Sequence, residues 1–222
     1  NHVHVVDMSV CIQFYLKGRL RIMPENKFYK NKWANFVKVR KKLIRYVLQD
    51  HFSGAIYVKY YYSAGETAEN LFDFLCSAWR GGKHEKFPFR GVPFYVLHDK
   101  GSANISHAIQ GFLRGLEIDV PKSLPHNPRR QGSAECAQNL VESWFESRLK
   151  IQSATTIEEL NEWALDWAVW FNAERVHTRH RMTRTACWSQ IRSEHLRELP
   201  EDEILQEIFA NPTETRQVRG DY

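Results

Sequence analysis

Along the chain, apolar positions fall into runs whose period changes several times. His2 to Ile12 holds Val3, Val5, Val6, Val10 and Ile12, a β-branched composition that predicts a strand with Asp7 in its middle. Leu43 to Leu48 and Ala55 to Tyr62 are apolar and aromatic runs separated by Asp50-His51-Phe52-Ser53-Gly54. That spacing predicts two antiparallel strands joined by a tight turn. From Glu66 to Trp79 the period is helical, with Ala68, Leu71, Phe72, Leu75, Cys76 and Trp79 on one side and Gly81-Gly82 at the end. Val92 to Leu97 predicts a fourth strand, Ser102 to Leu116 a helix with Ser102 as N-cap, and Ile118 to Val120 a short fifth strand.

A loop from Pro121 to Gln131 with three prolines separates this half from two long helical patterns. In Gly132 to Lys150, at 100° per residue, Ala137, Leu140, Val141 and Trp144 share one side, while Glu135, Asn139, Glu142 and Glu146 share the other. Ile157 to Glu174 is a further helix, rich in Trp163, Trp167 and Trp170. Three strands, helix, strand, helix, strand and two helices predict an α/β domain with a mixed five-stranded sheet. The expected divisions are a core over residues 1–152, a C-terminal helical extension over 153–192, and an acidic tail or linker over 193–222.

Charge changes this picture locally. From Phe14 to Arg45 there are eleven Lys/Arg against Glu25 alone, interleaved with Phe14, Tyr15, Phe28, Tyr29, Trp33 and Phe36. Basic side chains neutralise phosphates and aromatics stack on bases, so the stretch is a candidate for nucleic-acid contact, with Lys38, Arg40, Lys41 and Lys42 at its heart. A solvated basic helix over Trp33 to Lys42, its aromatic face in the core, is the alternative. Ser193 to Tyr222 is the reverse, with eight acids and three arginines.

Composition bounds the rest. At 222 residues the chain can bury a substantial core, and it contains no apolar run long enough to span a membrane. With no initiator Met and no apolar leader before Asp7, it is expected to be an excised or processed domain. Cys11, Cys76, Cys136 and Cys187 lie far apart and signal neither disulfides nor zinc, which fits reduced thiols and a cytoplasmic setting. The pair His177 and His180 has no accompanying cysteines and is a weak metal signal.

Three carboxylates stand out against these elements. Asp7 lies inside a strand, where a charge is costly without a partner. Asp99 follows the fourth strand, and Glu135 opens the long helix on its polar side. Taken singly, Asp99 reads as a turn residue before Gly101 and Ser102, and Glu135 as a first-turn acid facing the helix dipole. As a trio at strand and helix ends they point to a site for a hard cation, Mg²⁺ or Mn²⁺.

The chain resembles the catalytic core of the retroviral integrases and the Asp-Asp-Glu transposases of bacterial insertion sequences and phages. The segments that carry the resemblance are Asp7 in the first strand, the turn Asp50 to Gly54, Gly65-Glu66-Thr67-Ala68, and His98-Asp99-Lys100-Gly101-Ser102. They continue with Pro125-His126-Asn127-Pro128, Gln131-Gly132-Ser133-Ala134-Glu135, and Trp170-Phe171-Asn172-Ala173-Glu174-Arg175-Val176-His177. Asp99 and Glu135 are separated by 35 residues, the spacing most diagnostic of that superfamily. Lys100 stands where asparagine is usual, Phe171 where tyrosine is common, and Thr183-Arg184 where Thr-Pro is common.

The resemblance implies an RNase H-like fold, with the basic stretch inserted between strands one and two. It implies two Mg²⁺ (or Mn²⁺) ions held by Asp7, Asp99 and Glu135, which would cleave a DNA 3′ end and then transfer it to target DNA. DNA would be gripped by Arg129, Arg130 and Gln131 beside Glu135, and by Lys100 and Lys150, in a homo-oligomer assembled on element ends in a bacterial nucleoid. Two alternatives remain: an RNase H-like nuclease that does not join, and an inactive DNA-binding remnant.

Overall fold

The computed structural model describes residues 2–11, 14–16, 20–22, 42–98, 106–121 and 132–211. Its strands are β1 (Val3–Val10), β2 (Phe14–Leu16), β3 (Leu20–Ile22), β4 (Lys42–Asp50), β5 (Ile56–Ser63) and β6 (Tyr95–His98). Helix α1 (Ala68–Trp79) lies between β5 and β6, and α2 (His107–Gly115) follows β6. Then come α3 (Gly132–Val141), a π-helical turn (Glu142–Glu146), α4 (Ser147–Leu149), α5 (Ile157–Glu174), α6 (Arg184–Trp188) and α7 (Asp202–Ala210).

The main sheet has the order β5-β4-β1-β6. β4 pairs antiparallel with both β5 and β1, while β1 and β6 run parallel. β4 is interior, and eight of its nine residues are buried, among them the polar Arg45, Gln49 and Asp50. Its two faces still separate by period two. Ile44, Tyr46 and Leu48 join one core with α1, α2 and α7, whereas Leu43 and Val47 join a second core with α3, the π turn and α5.

The β4–β5 hairpin forms as the sequence predicts. Asp50 Oδ2 accepts from the Ser53 backbone N–H at 2.8 Å and its hydroxyl at 2.5 Å, closing the turn locally. Gly54 then adopts φ +72°, and a Cβ there would meet the His177 ring at 2.7 Å, so glycine is required twice over. Thr67 and Thr156 cap α1 and α5, each accepting from a backbone N–H three residues on.

Several expectations are corrected. Lys42 is the first residue of β4, not the end of a helix; residues 33–41 of that predicted helix lie outside those described. The cap of α2 is Ser106, whose side chain accepts from Ile109 N; Ser102 lies outside the described residues. The fifth strand reduces to one parallel bridge, Tyr95 to Asp119, so four strands form the sheet. Glu117, at φ 53°, turns the chain sharply after α2, and only Asp119 reaches β6 before Val120 emerges to solvent. The segment from residue 193, expected to be a tail or linker, packs on the core as far as Phe209. Leu205 is buried, Phe209 stacks on Phe72 at 4.3 Å, and Ile208 fits so closely against Gly115 that a Cβ there would clash.

The basic stretch begins with the small β2–β3 hairpin, in which Leu20 is buried and its N–H donates to Ala154 O at 2.7 Å. Leu20 therefore anchors β3 to the face that carries α3 and α5.

Candidate active site

The site is built where the parallel pair β1 and β6 ends. The register aligns Val6 with His98, the last described residue of β6, and Asp7 is the next residue along β1. Asp99 is the next residue after His98 in the sequence and lies outside the described residues. On the other side of β1, Asp7 pairs with Val47 of interior β4. Asp7 is thus half-buried in the middle of the sheet, where desolvation makes an acid costly unless polar groups meet it.

Gln138 supplies one such group. It sits on α3, which packs across β1 and β4, and its Nε2 donates to Asp7 Oδ2 at 3.0 Å. Glu135 is three residues earlier on the same helix and exposed to solvent. Positions three apart are neighbours on a helix, so Glu135 lies one turn above the side chain that holds Asp7. The helix is the element that couples the first and third expected ligands.

Below this point the helix departs from regular α geometry. The 100° rule places Glu142 and Glu146 together on the polar side, but the π turn from Glu142 to Glu146 rotates the residues after it inward. Glu146 is consequently buried, and its Oε1 accepts from Arg45 Nη1 at 2.5 Å, Tyr60 OH at 2.9 Å and Cys11 Sγ at 3.3 Å. Arg45 also donates from Nε to Gln138 Oε1 at 2.5 Å and from Nη2 to Glu142 Oε1 at 2.9 Å. Burial works against the charge on Arg45, yet Glu146 and Glu142 outweigh it and raise its pKa above the ordinary guanidinium value. Burial, reinforced by Glu146, pushes the Cys11 thiol and the Tyr60 phenol well up, so both remain neutral donors.

Sequence reasoning missed Arg45, Gln138 and Glu146. A signal was present for Arg45, a charge inside the otherwise apolar run Leu43 to Leu48, the same signal that singled out Asp7. Nothing in the spacing marks Glu146, because its burial depends on the π turn.

The remaining expected site residues divide by position. Asp99, Lys100, Arg129, Arg130, Gln131, Lys38, Arg40 and Lys41 lie outside the described residues. Lys42 begins β4. Lys150 is exposed at the end of α4, roughly 20 Å along the helical rod from Glu135 at 1.5 Å per residue. Arg148 lies over the Trp170 ring at 5.5 Å.

The segment Trp170 to His177 acts as a brace for the sheet edge. Asn172 Oδ1 accepts from Ile56 N at 2.9 Å and its Nδ2 donates to Ile56 O at 2.7 Å, tying α5 to the start of β5. Arg184 lies over the Phe171 ring and donates from Nε to Gly54 O at 3.0 Å. His177 and His180 stack at 4.7 Å, and His180 Nε2 lies 2.9 Å from Ser53 O. Among the described residues no group of three or more His, Cys, Asp or Glu is placed to hold a metal ion. Through its contacts with Ser53 O and Gly54 the histidine pair braces the hairpin turn.

The donor chemistry at Asp7 and Glu135 fits a hard divalent cation. Both are carboxylates, and the hydrogen bond donated by the Gln138 amide orients the Asp7 carboxylate as an outer partner of a metal ligand would.

No protein-family model and no curated protein sequence matches the chain. Solved structures do. A chain of the simian T-cell lymphotropic virus intasome, determined with the PP2A regulatory subunit B56 gamma, superposes with a TM-score of 0.58 at 19% identity. That match covers 90% of this chain but 58% of the viral one, so this chain spans less than two thirds of that relative's length. The trimeric form of the HTLV-2 integrase catalytic core domain with magnesium superposes at 0.51 and 19% identity, covering 84% of this chain and 95% of that one. The BIV integrase catalytic core domain gives 0.51 and 18%, with 86% and 95% covered. The fold is RNase H-like. Its mixed α/β architecture is the one expected from the sequence, with one strand fewer in the sheet. Among the described residues no helix is long and apolar enough to cross a membrane.

Proposed function

We propose that this RNase H-like chain is the catalytic core of a DNA transposase or integrase, a Mg²⁺-dependent polynucleotidyl transferase. It would cut DNA to expose a 3′-hydroxyl and join that end to target DNA. The observation that carries the reading is the placement of Asp7. It sits in the interior strand β1, beside the end of parallel β6, and is held by an amide from the helix that bears Glu135. Integrase cores of the same fold, one of them solved with magnesium, support it.

In this reading Asp7, Asp99 and Glu135 hold the cations. Mg²⁺ held there would supply Lewis acidity toward the attacking water or 3′-hydroxyl and the leaving 3′-oxygen. The protein's part is placement. The sheet fixes Asp7 on a rigid strand, Gln138 orients its carboxylate, and α3 sets Glu135 one turn above. Arg129, Arg130 and Gln131, immediately before α3, and Lys100, immediately after Asp99, would hold phosphates near the reacting bond, with Lys38, Arg40, Lys41, Lys42 and Lys150 contacting DNA further away. The resemblance of Trp170 to His177 to an element common in transposases favours a bacterial or phage enzyme in this reading, and the HTLV-2 core's trimeric and dimeric forms support a homo-oligomer on DNA.

Joining is measured with a pre-cut DNA end bearing a free 3′-hydroxyl and a supercoiled target. The unaltered chain joins them with Mg²⁺, and Asp99→Asn or Glu135→Gln loses joining by at least about a thousandfold while DNA binding survives. Full activity in either variant refutes the assignment. Hydrolysis without joining assigns the chain to a nuclease instead.

A further inference from the structure

We infer that Arg45, a residue outside the carboxylate trio, is the positioning residue of this site, setting the orientation of Asp7 through Gln138. The inference rests on the functional reading above, since positioning matters only if Asp7 holds a metal.

The argument begins with donors and acceptors. A glutamine amide presents one acceptor and one donor end, and its neighbours decide which way it faces. Arginine has five N–H donors and no acceptor. Arg45 Nε, at 2.5 Å from the amide, can therefore face only Gln138 Oε1, which leaves Nε2 directed at Asp7 Oδ2, 3.0 Å away. Without Arg45 the amide is free to reverse or to swing toward solvent, and the Asp7 carboxylate loses a fixed donor.

Arg45 is itself immobilised. It is 1% exposed, and its other nitrogens are taken by Glu146 Oε1 at 2.5 Å and Glu142 Oε1 at 2.9 Å. Both acids belong to the π turn, one at each end. Four residues apart, they approach one guanidinium from the same helix, and Tyr60 and Cys11 pin Glu146 from the sheet. A buried charge cluster of this kind is weak evidence for stability but sets geometry tightly. The path Cys11 and Tyr60 to Glu146, Arg45, Gln138 and Asp7 is continuous in hydrogen bonds, and Asp7 is the one member belonging to the proposed metal site. The π turn, otherwise an interruption of a good helix, is what brings Glu146 into reach.

The test is a Mn²⁺ titration of the 222-residue chain, with free ion counted by electron paramagnetic resonance at a temperature where each variant is folded. Arg45→Lys keeps the charge but cannot serve three acceptors in a fork. It is expected to raise the half-saturating Mn²⁺ concentration about tenfold or more, the usual effect of removing a partner of a metal ligand. Gln138→Met, close in volume and without the amide, is expected to do the same. Should Arg45→Lys fail to fold, Arg45→Met/Glu146→Leu replaces the buried pair by apolar volume and carries the same expectation. Phe74→Ala, in the opposite core, is the control for a merely structural loss and leaves the affinity unchanged. Unaltered affinity in the folded Arg45 variant overturns the inference alone. Absence of Mn²⁺ binding by the unaltered chain overturns the functional reading, and this inference with it.

Discussion

One face of the sheet packs Tyr46 against Phe74 at 5.3 Å, Trp79 against Phe112 at 6.3 Å and Phe72 against Phe209 at 4.3 Å, all among aliphatic neighbours. The other face, made by the alternate residues of the same strands, threads Arg45, Gln138 and Glu146 through its apolar core. Most of the energy of ring packing follows buried area, with a smaller directional part from stacked and edge-to-face contacts. A buried guanidinium held by a carboxylate and an amide contributes little net stability, because desolvation offsets the attraction, yet every bond in it has a direction. The first face keeps the sheet folded. The second aims a side chain, and the side chain it reaches is Asp7.

If that division holds, the two faces respond differently to substitution. The largest effect on stability is expected in the ring core. Phe74→Ala removes a wholly buried ring and should cost about 3–5 kcal/mol, read from the urea midpoint. An accompanying fall in Mn²⁺ affinity of the folded protein would break the comparison, because the ring face would then also be shaping the site.

The next effect concerns pH. His4, on the ring face, is fully buried, and its Nδ1 accepts from Trp79 Nε1 at 3.0 Å. Burial, against the attraction of Asp50, pushes its pKa down to about 4. The unfolded chain takes up that proton near pH 6.5, but the folded chain does not until about pH 4. This contribution is therefore complete above pH 6.5 and is lost as pH falls toward 4, by up to about 3 kcal/mol. Urea titrations across that range should show the decline, and His4→Gln should flatten it. An unchanged slope would mean that the proton is taken up elsewhere.

A smaller change sharpens the boundary of the second face. Asn172→Ala leaves Ile56 N–H and C=O without their side-chain partner at the edge of β5, at about 1–3 kcal/mol. Joining activity below the melting range should stay unchanged, since the brace lies away from β1. A selective loss of joining would move this element into the working site.

Much of this was legible in the residues. The turn Asp50 to Gly54 announces itself because its side chains make the turn's own bonds, and Ile157–Glu174 follows from an uninterrupted helical period. Asp7 was legible as a charge in an apolar strand, and Glu135 as the polar opening of a helix at a diagnostic distance from Asp99. The partners of Asp7 were not. Glu146 looks solvent-facing at 100° per residue, and the π turn that buries it has no sequence signature of its own. Arg45 carried the same mark as Asp7 but lay at the end of a basic run, where charge is read as surface. The docking of α7 also escaped, because eight acids between Ser193 and Tyr222 mask the apolar line of Leu205, Ile208 and Phe209.

The central claim is that Asp7, Asp99 and Glu135 together hold catalytic cations. A crystal structure of the chain soaked in Mn²⁺, read from the anomalous signal of the metal, tests it most directly. The account predicts a Mn²⁺ peak with a carboxylate oxygen of Asp7 at about 2.1 Å and with Asp99 or Glu135 completing the oxygen shell. Saturating Mn²⁺ with no peak at Asp7, or a peak held by other residues, would contradict it.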